Sequence, residues 1–237
     1  MTGFRIPAAT YRLQFHHGFR FITAQALVPY LHELGITDIY ASPFFQARTR
    51  SLHGYSVTNP LEINPELGSR VALKALVRVL KSRDMGLLLD IVPNHMALSH
   101  DNPWWLDVLE NGPASPFARF FDIDWHSHNR VLEDKVLQPI LGAPFGQVLE
   151  NQELTLGLAE EGFFIYYYDH KFPLDPKTYQ VILSHRLEAL RAELGPEDPA
   201  ISTLTGLITL AEHLPPRTVK GAQRQKVRRQ QQEVLKR

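Results

Sequence analysis

Gly86-Leu87-Leu88-Leu89-Asp90-Ile91-Val92-Pro93-Asn94-His95 is the stretch on which the fold turns. From Gly86 to Val92 every residue but Asp90 is apolar. Such a run suits a strand buried on both faces of a parallel sheet. Asp90 is the anomaly in it, because a carboxylate in apolar surroundings is costly unless paired or hydrogen-bonded. Two readings of it stand open: an active-site acid held by partners at the working end of the sheet, or a member of a structural ion pair beneath that end. His95 falls where the chain leaves the strand and carries the same pair of readings, functional and structural.

Upstream, the chain alternates strand, helix, strand, helix. Thr10 to Phe15 (TYRLQF) is rich in β-branched and aromatic residues and reads as a strand. Leu27, Tyr30, Leu31 and Leu34 follow at helical spacing. Pro29 within that stripe predicts a kink or a shifted helix start, and Gly35 marks the stop. Thr37 to Ala41 is a second strand. A long loop from Ser42 to Pro60 leads to a second helix marked by Leu73, Leu76, Val79 and Leu80. Strand–helix–strand units of this kind give parallel neighbours. The fold class is therefore α/β, with residues 1–96 as the first three βα units of a (β/α) barrel or a doubly wound sheet.

Downstream the alternation stops. Residues 97–150 are rich in Pro, Gly, Asn and aromatics and read as loops with short helices. Leu154 to Leu158 and Phe163 to Tyr168 predict a hairpin turning at Glu160-Glu161-Gly162. Pro176 to Leu194 predicts one helix, with Tyr179, Leu183, Leu187, Leu190 and Leu194 along one side. After a break at Gly195 to Pro199, Leu204, Leu207, Ile208 and Ala211 form another stripe, and Leu214-Pro215-Pro216 ends it. Ala222 to Arg237 reads as a final helix. Three segments result: the βα units at 1–96, a stretch of loops, short helices and a hairpin at 97–185, and a helical segment at 186–237. A complete barrel needs about 250 residues and eight βα units, so with three convincing strands the barrel is expected to be incomplete in this chain. That leaves the edge of the third strand exposed and predicts poor solubility.

Charge is balanced overall, with 25 basic and 25 acidic residues, which argues against nucleic-acid or membrane partners. The balance is uneven: Arg217 to Arg237 holds eight Lys or Arg against one Glu. No aromatics interleave these charges, so the reading is a solvated helix face. Cysteine is absent, which excludes disulfides and thiolate metal sites and fits a cytoplasmic protein. Met1 to Thr10 has no apolar core of a secretory signal, and no stretch is apolar and long enough to span a bilayer. Neither a Gly-rich phosphate loop, a zinc-binding helix motif nor a nucleophile elbow is present, so no cofactor and no metal are expected.

In parallel barrels the chemistry lies at the C-terminal ends of the strands. The loop Ser42 to Pro60 and the segment after Asp90 mix aromatic and polar groups, as sugar recognition requires: rings cover the apolar face of a pyranose and polar groups bond its hydroxyls. Tyr55, behind a turn-permitting Gly54, is the candidate stacking ring. Trp104 and Trp105 are a stacking platform or anchors of their loop, and the three rings Tyr166 to Tyr168 are expected to alternate in and out of a sheet.

Asp90-Ile91-Val92-Pro93-Asn94-His95 resembles the first conserved region of the α-amylase superfamily (glycoside hydrolase family 13), and Ser42-Pro43 and His53-Gly54-Tyr55 stand before it in that family's order. Thr10-Tyr11-Arg12-Leu13-Gln14, Asn102-Pro103-Trp104-Trp105, Gly112 to Pro116, Phe120 to Trp125 and Tyr168 to Leu174 resemble its trehalose-forming branch. The resemblance implies a (β/α)8 barrel with a B-type subdomain inserted after strand three. It implies a monomeric enzyme acting on maltooligosaccharides, converting the reducing-end α-1,4 linkage to an α,α-1,1 linkage by intramolecular transglycosylation. The family's scheme is retaining, with a carboxylate nucleophile and a carboxylic acid/base. Both are expected beyond residue 237, so no catalytic residue is assigned. The resemblance gives Tyr55 as the stacking ring, His95 as a ligand of the sugar 6-hydroxyl, Asp90 as a supporting acid, and Asn94, His53 and Gln14 as further substrate-binding positions. Asn94 matches a calcium position of many α-amylases, but no calcium is carried over. Ser56 departs from the family's Asp and removes a charged acceptor from the loop. The competing expectations are an α-glucan hydrolase of the same superfamily and a non-catalytic glucan-binding remnant.

Overall fold

The computed structural model describes residues 6–219 and 222–236. The first half of the N-terminal stretch examined for a signal, and Lys220, Gly221 and Arg237 of the basic segment, lie outside them. The chain divides into two compact units, one ending at Pro103 and the other beginning at Trp104.

The first unit holds a three-stranded parallel sheet. β1 (Thr10–Leu13), β2 (Asp38–Ala41) and β5 (Gly86–Leu89) lie side by side in that order. Helix α1 (Phe21–Glu33) connects β1 to β2, and α2 (Arg70–Lys81) leads into β5. Leu13, Ile39 and Ala41 meet Phe21, Val28 and Leu31 of α1 and Leu76 and Leu80 of α2 in one buried core. Each such side chain contributes about 1.5–3 kcal/mol on burial. The alternate row of the sheet, Arg12 beside Tyr40 beside Leu88, projects to the opposite face.

Two expectations need correction here. The third strand is shorter than Gly86 to Val92, and it is not buried on both faces: Leu88 and Leu89 are 40% and 47% exposed. β5 is an edge of the sheet, so the apolar run lacks a neighbour on one side. Pro29 does not shift the helix start: α1 begins at Phe21 and continues past it. The proline removes one backbone donor without ending the helix, because Ala24, Val28 and Leu31 on either side of it are buried in the core. Gly35 closes that helix at φ +88°, as its place after the stripe predicts.

The connection from β2 to α2 is not a plain loop. β3 (Phe45–Ala47) and β4 (Val57–Ile63) pair as an antiparallel ribbon, with residues 48–56 as its tip. A three-residue strand and a strand carrying Pro60 give little alternation to read, and Pro is tolerated because a two-stranded ribbon is all edge.

The second unit is built separately. α3 (Pro103–Asn111) and α4 (Phe145–Glu150) precede a meander of β6 (Thr155–Ala159), β7 (Gly162–Tyr167) and β8 (His170–Pro173). The hairpin expectation holds for β6 and β7. β8 (HKFP) escaped notice because it is short and ends in proline, which an edge strand accommodates. Tyr166 and Tyr167 end β7 half-buried and buried, whereas Tyr168 lies past the strand at φ +49° and is exposed, so only the first two rings belong to the sheet. The long helix predicted over 176–194 is broken into α5 (Tyr179–Ser184) and α6 (Leu187–Leu194), with Arg186 at φ +57° between them. The i, i+4 stripe runs through this break and conceals it. α7 (Pro199–Glu212) starts at the Asp198 N-cap and packs Ala211 against Tyr179 and Phe163.

The last helix, α8 (Ala222–Leu235), overturns the solvated-face reading. Arg224 and Arg228 are only 2% and 6% exposed. Arg224 pairs with Asp175 at 3.1 Å and also bonds Asn111, while Arg228 pairs with Glu110 and donates to the Glu161 carbonyl at 2.5 Å. Their acceptors lie far away in sequence, which is why composition alone placed these charges in solvent.

Candidate active site

The C-terminal ends of β1, β2 and β5 and the tip of the β3–β4 ribbon assemble one polar cluster. Ser42, fully buried, accepts the Phe15 amide at 2.8 Å with its hydroxyl. Pro43 follows, and its carbonyl oxygen would lie 2.3 Å from a Cβ at position 54. Gly54 is at φ +76°. Backbone meets backbone there, so only glycine fits. Gln14 donates to the Leu52 carbonyl at 3.1 Å and fixes the tip from the β1 side. The motif residues around Tyr55 thus act first as its scaffold.

Tyr55 donates its hydroxyl proton to Asp90 Oδ2 at 2.6 Å and accepts from Arg12 Nη2 at 2.9 Å. Arg12 Nη1 also reaches Asp90 Oδ2, at 3.0 Å, and the guanidinium lies 4.6 Å from the centroid of the Tyr40 ring. The Tyr55 hydrogen bond, with help from Arg12 and the Tyr40 hydroxyl, lowers the Asp90 carboxyl below the ordinary carboxylate range. The same bond raises the Tyr55 hydroxyl, since the carboxylate disfavours a phenolate beside it. His53 stacks on Tyr55 with ring centroids 5.8 Å apart at 25° and accepts the Tyr55 amide with Nδ1 at 3.0 Å. Asp90 is ion-paired, and the pair stands at the C-terminal end of the sheet.

Asn94 and His95 are exposed beyond β5. His95 Nδ1 lies 3.2 Å from Asn94 Oδ1, a bond that forms when Nδ1 carries the proton. No hydrogen bond or ring contact of the described residues joins His95 or Asn94 to Tyr55 or Asp90. Tyr55, Asp90, His53 and Gln14 are therefore brought together, while Asn94 and His95 form a second pair. Arg12 and Tyr40 were missed as individual residues. The signal for them is period two: Arg12 stands two residues before Gln14, and Tyr40 two before Ser42, on the same rows. Among the described residues no group of three His, Asp or Glu is placed to hold a metal ion, and no helix is long and apolar enough to cross a membrane.

In the second unit Trp105 is buried against Phe121, and Trp104 stacks on Phe117 at 5.1 Å and 11°. The anchoring reading holds for Trp105.

The family model of the α-amylase catalytic domain matches residues 23–173, and the chain belongs to that family. The chain is 41% identical over 142 residues to a putative maltooligosyl trehalose synthase of Mycobacterium tuberculosis, covering 57% of this chain and 18% of that protein. Among solved structures, the maltooligosyltrehalose synthase from Arthrobacter ramosus superposes with a TM-score of 0.63 at 35% identity, over 71% of this chain and 21% of that one. A hypothetical maltooligosyl trehalose synthase of Sulfolobus tokodaii gives 0.62 at 32% identity, over 78% and 24%. The chain thus spans about a fifth of the length of these relatives.

Proposed function

We propose that this chain is the N-terminal part of a maltooligosyl trehalose synthase, contributing part of the glucan site to an isomerase that rearranges a reducing-end α-1,4 linkage to an α,α-1,1 linkage. On this reading β1, β2 and β5 are the first three strands of a (β/α)8 barrel, incomplete in this chain. Residues 97–185 are then the inserted B-type subdomain and 186–237 a helical segment. The observation that carries the proposal is the Tyr55–Asp90–Arg12 cluster at the open strand ends, with the His53 ring stacked beside Tyr55 and the Tyr55 residue still 36% exposed. An exposed, oriented ring beside hydrogen-bonding groups is what a pyranose needs. His95 and Asn94 supply further hydroxyl partners from the segment after β5.

The chemistry itself requires two carboxyl groups flanking the scissile bond. In this cluster Asp90 is the carboxylate, and it is held ionised by Arg12 and Tyr55, so it supplies neither a free nucleophile nor a proton. The 237-residue chain is therefore expected to bind maltooligosaccharide without turning it over. Titration with maltotriose while following backbone amide resonances of residues 51–57 checks binding, and incubation with maltohexaose while assaying reducing ends checks turnover. Lack of any resonance change at millimolar sugar, or steady conversion by rigorously purified chain, counts against the proposal.

A further inference from the structure

We propose that Arg12 is a positioning residue: its guanidinium dictates which way the Tyr55 hydroxyl points, and so holds that ring ready for a pyranose. The inference rests on the glucan-site reading given above, and adds to it a residue whose importance lies in direction rather than in contact with sugar.

The argument is one of donors and acceptors. A guanidinium donates and never accepts. Arg12 Nη2 therefore fills a lone pair of the Tyr55 oxygen, and the Tyr55 proton has one remaining strong acceptor, Asp90 Oδ2 at 2.6 Å. Arg12 Nη1 binds that same Oδ2 at 3.0 Å and closes the ring of bonds. Only one sense of hydrogen bonding satisfies all three groups. Without Arg12, the phenol still reaches Asp90, but its oxygen is held by one hydrogen bond in place of a closed ring of three and is located less tightly.

The guanidinium is itself held. It lies over the Tyr40 ring at 4.6 Å, on the neighbouring strand in the same row. The far end of Tyr55 is fixed by its amide bond to His53. Both ends of Tyr55 are thus specified, with the His53 ring stacked beside it and the residue 36% exposed. The Arg12 side chain is 36% exposed and that of Asp90 14%, and an ion pair whose cation is this open to water adds little to folding stability. A network that contributes little to stability but defines a direction is a device for orientation. Lysine cannot replace it fully, since a point charge does not bond two acceptors in a fixed fork.

The test compares the full chain with Arg12→Met, Arg12→Lys and Tyr55→Phe, using tyrosine labelled with carbon-13 at Cζ. Tyr55→Phe identifies the Tyr55 resonance. Arg12→Met is expected to leave thermal unfolding nearly unchanged, to move the Tyr55 titration further upward by removing the neighbouring cation, and to weaken maltotriose binding about tenfold. Arg12→Lys should fall between, and serves as the deciding variant if the methionine substitution unfolds the chain. Unaltered chain that binds maltotriose, with both variants binding equally well and Tyr55 titrating as before, overturns this proposal alone. Weaker binding with an unmoved Tyr55 resonance also overturns it, since Arg12 would then touch the sugar itself. No binding by the unaltered chain overturns the glucan-site reading and this inference with it.

Discussion

Gly54 shows how little room the site leaves its scaffold. A methyl group there would press on the Pro43 carbonyl at 2.3 Å, at a φ of +76° that side chains disfavour. Gly54→Ala is expected to cost about 1–3 kcal/mol from the backbone conformation alone, and to displace Tyr55 from Asp90; thermal unfolding and the Tyr55 resonance check the two effects separately. Asp90 sets a pH dependence at the same scale. Its folded carboxyl is depressed, chiefly by the Tyr55 hydrogen bond, so the network's contribution is complete above the unfolded carboxylate value of about 3.9. It is lost as pH falls through the lower folded value. Sugar binding should accordingly be level from neutral pH down to about 5 and fail only in stronger acid, with Asp90→Asn abolishing that acid limb. A midpoint near 6.5 would instead assign the dependence to a histidine.

Among the elements, α8 carries the largest stability stake. Arg228 and Glu110 are mutually paired and nearly buried, with side chains 7% and 13% exposed. Burial nonetheless raises the Glu110 carboxyl despite the arginine beside it, the mark of a pair whose desolvation is incompletely offset. Arg228→Ala leaves that carboxyl without its ion partner and is expected to destabilise the second unit by about 3–5 kcal/mol. Replacing both partners, Arg228→Met with Glu110→Leu, should recover most of the loss. Urea unfolding of the single and double variants checks this, and equal losses from both would contradict the account. The segment reads as a helix in the sequence but gives no sign that its charged side chains turn inward, because their acceptors come from α3 and from the segments before β7 and α5.

At the scale of the whole molecule, the parallel sheet is covered by helices on one face, and its edge strand β5 presents Leu88 and Leu89 partly to solvent, with Ile91 57% exposed just beyond. An apolar edge with unpaired backbone groups promotes association between chains. Leu89→Lys is expected to lower self-association of the chain, measured by static light scattering across a concentration series, without shifting its unfolding midpoint by more than a few degrees. Association unchanged by the lysine would place the sticky surface elsewhere. The relatives are several times longer than this chain.

The sequence by itself determined the repeating βα order, the helix-closing Gly35 and the hairpin of β6 and β7, and it singled out Tyr55 and Asp90 as candidate site residues. All of these follow from local periodicity, from the conformational demands of glycine, or from motifs contiguous in the chain. Only the tertiary structure decided that Arg12 and Tyr40 complete the Tyr55–Asp90 cluster, that Arg224 and Arg228 are buried, that β5 is an open edge and that Arg186 interrupts a helix. Those outcomes depend on which distant residues become neighbours, and hydrogen-bond partners 43 or 78 positions apart leave no trace in a pattern of near neighbours.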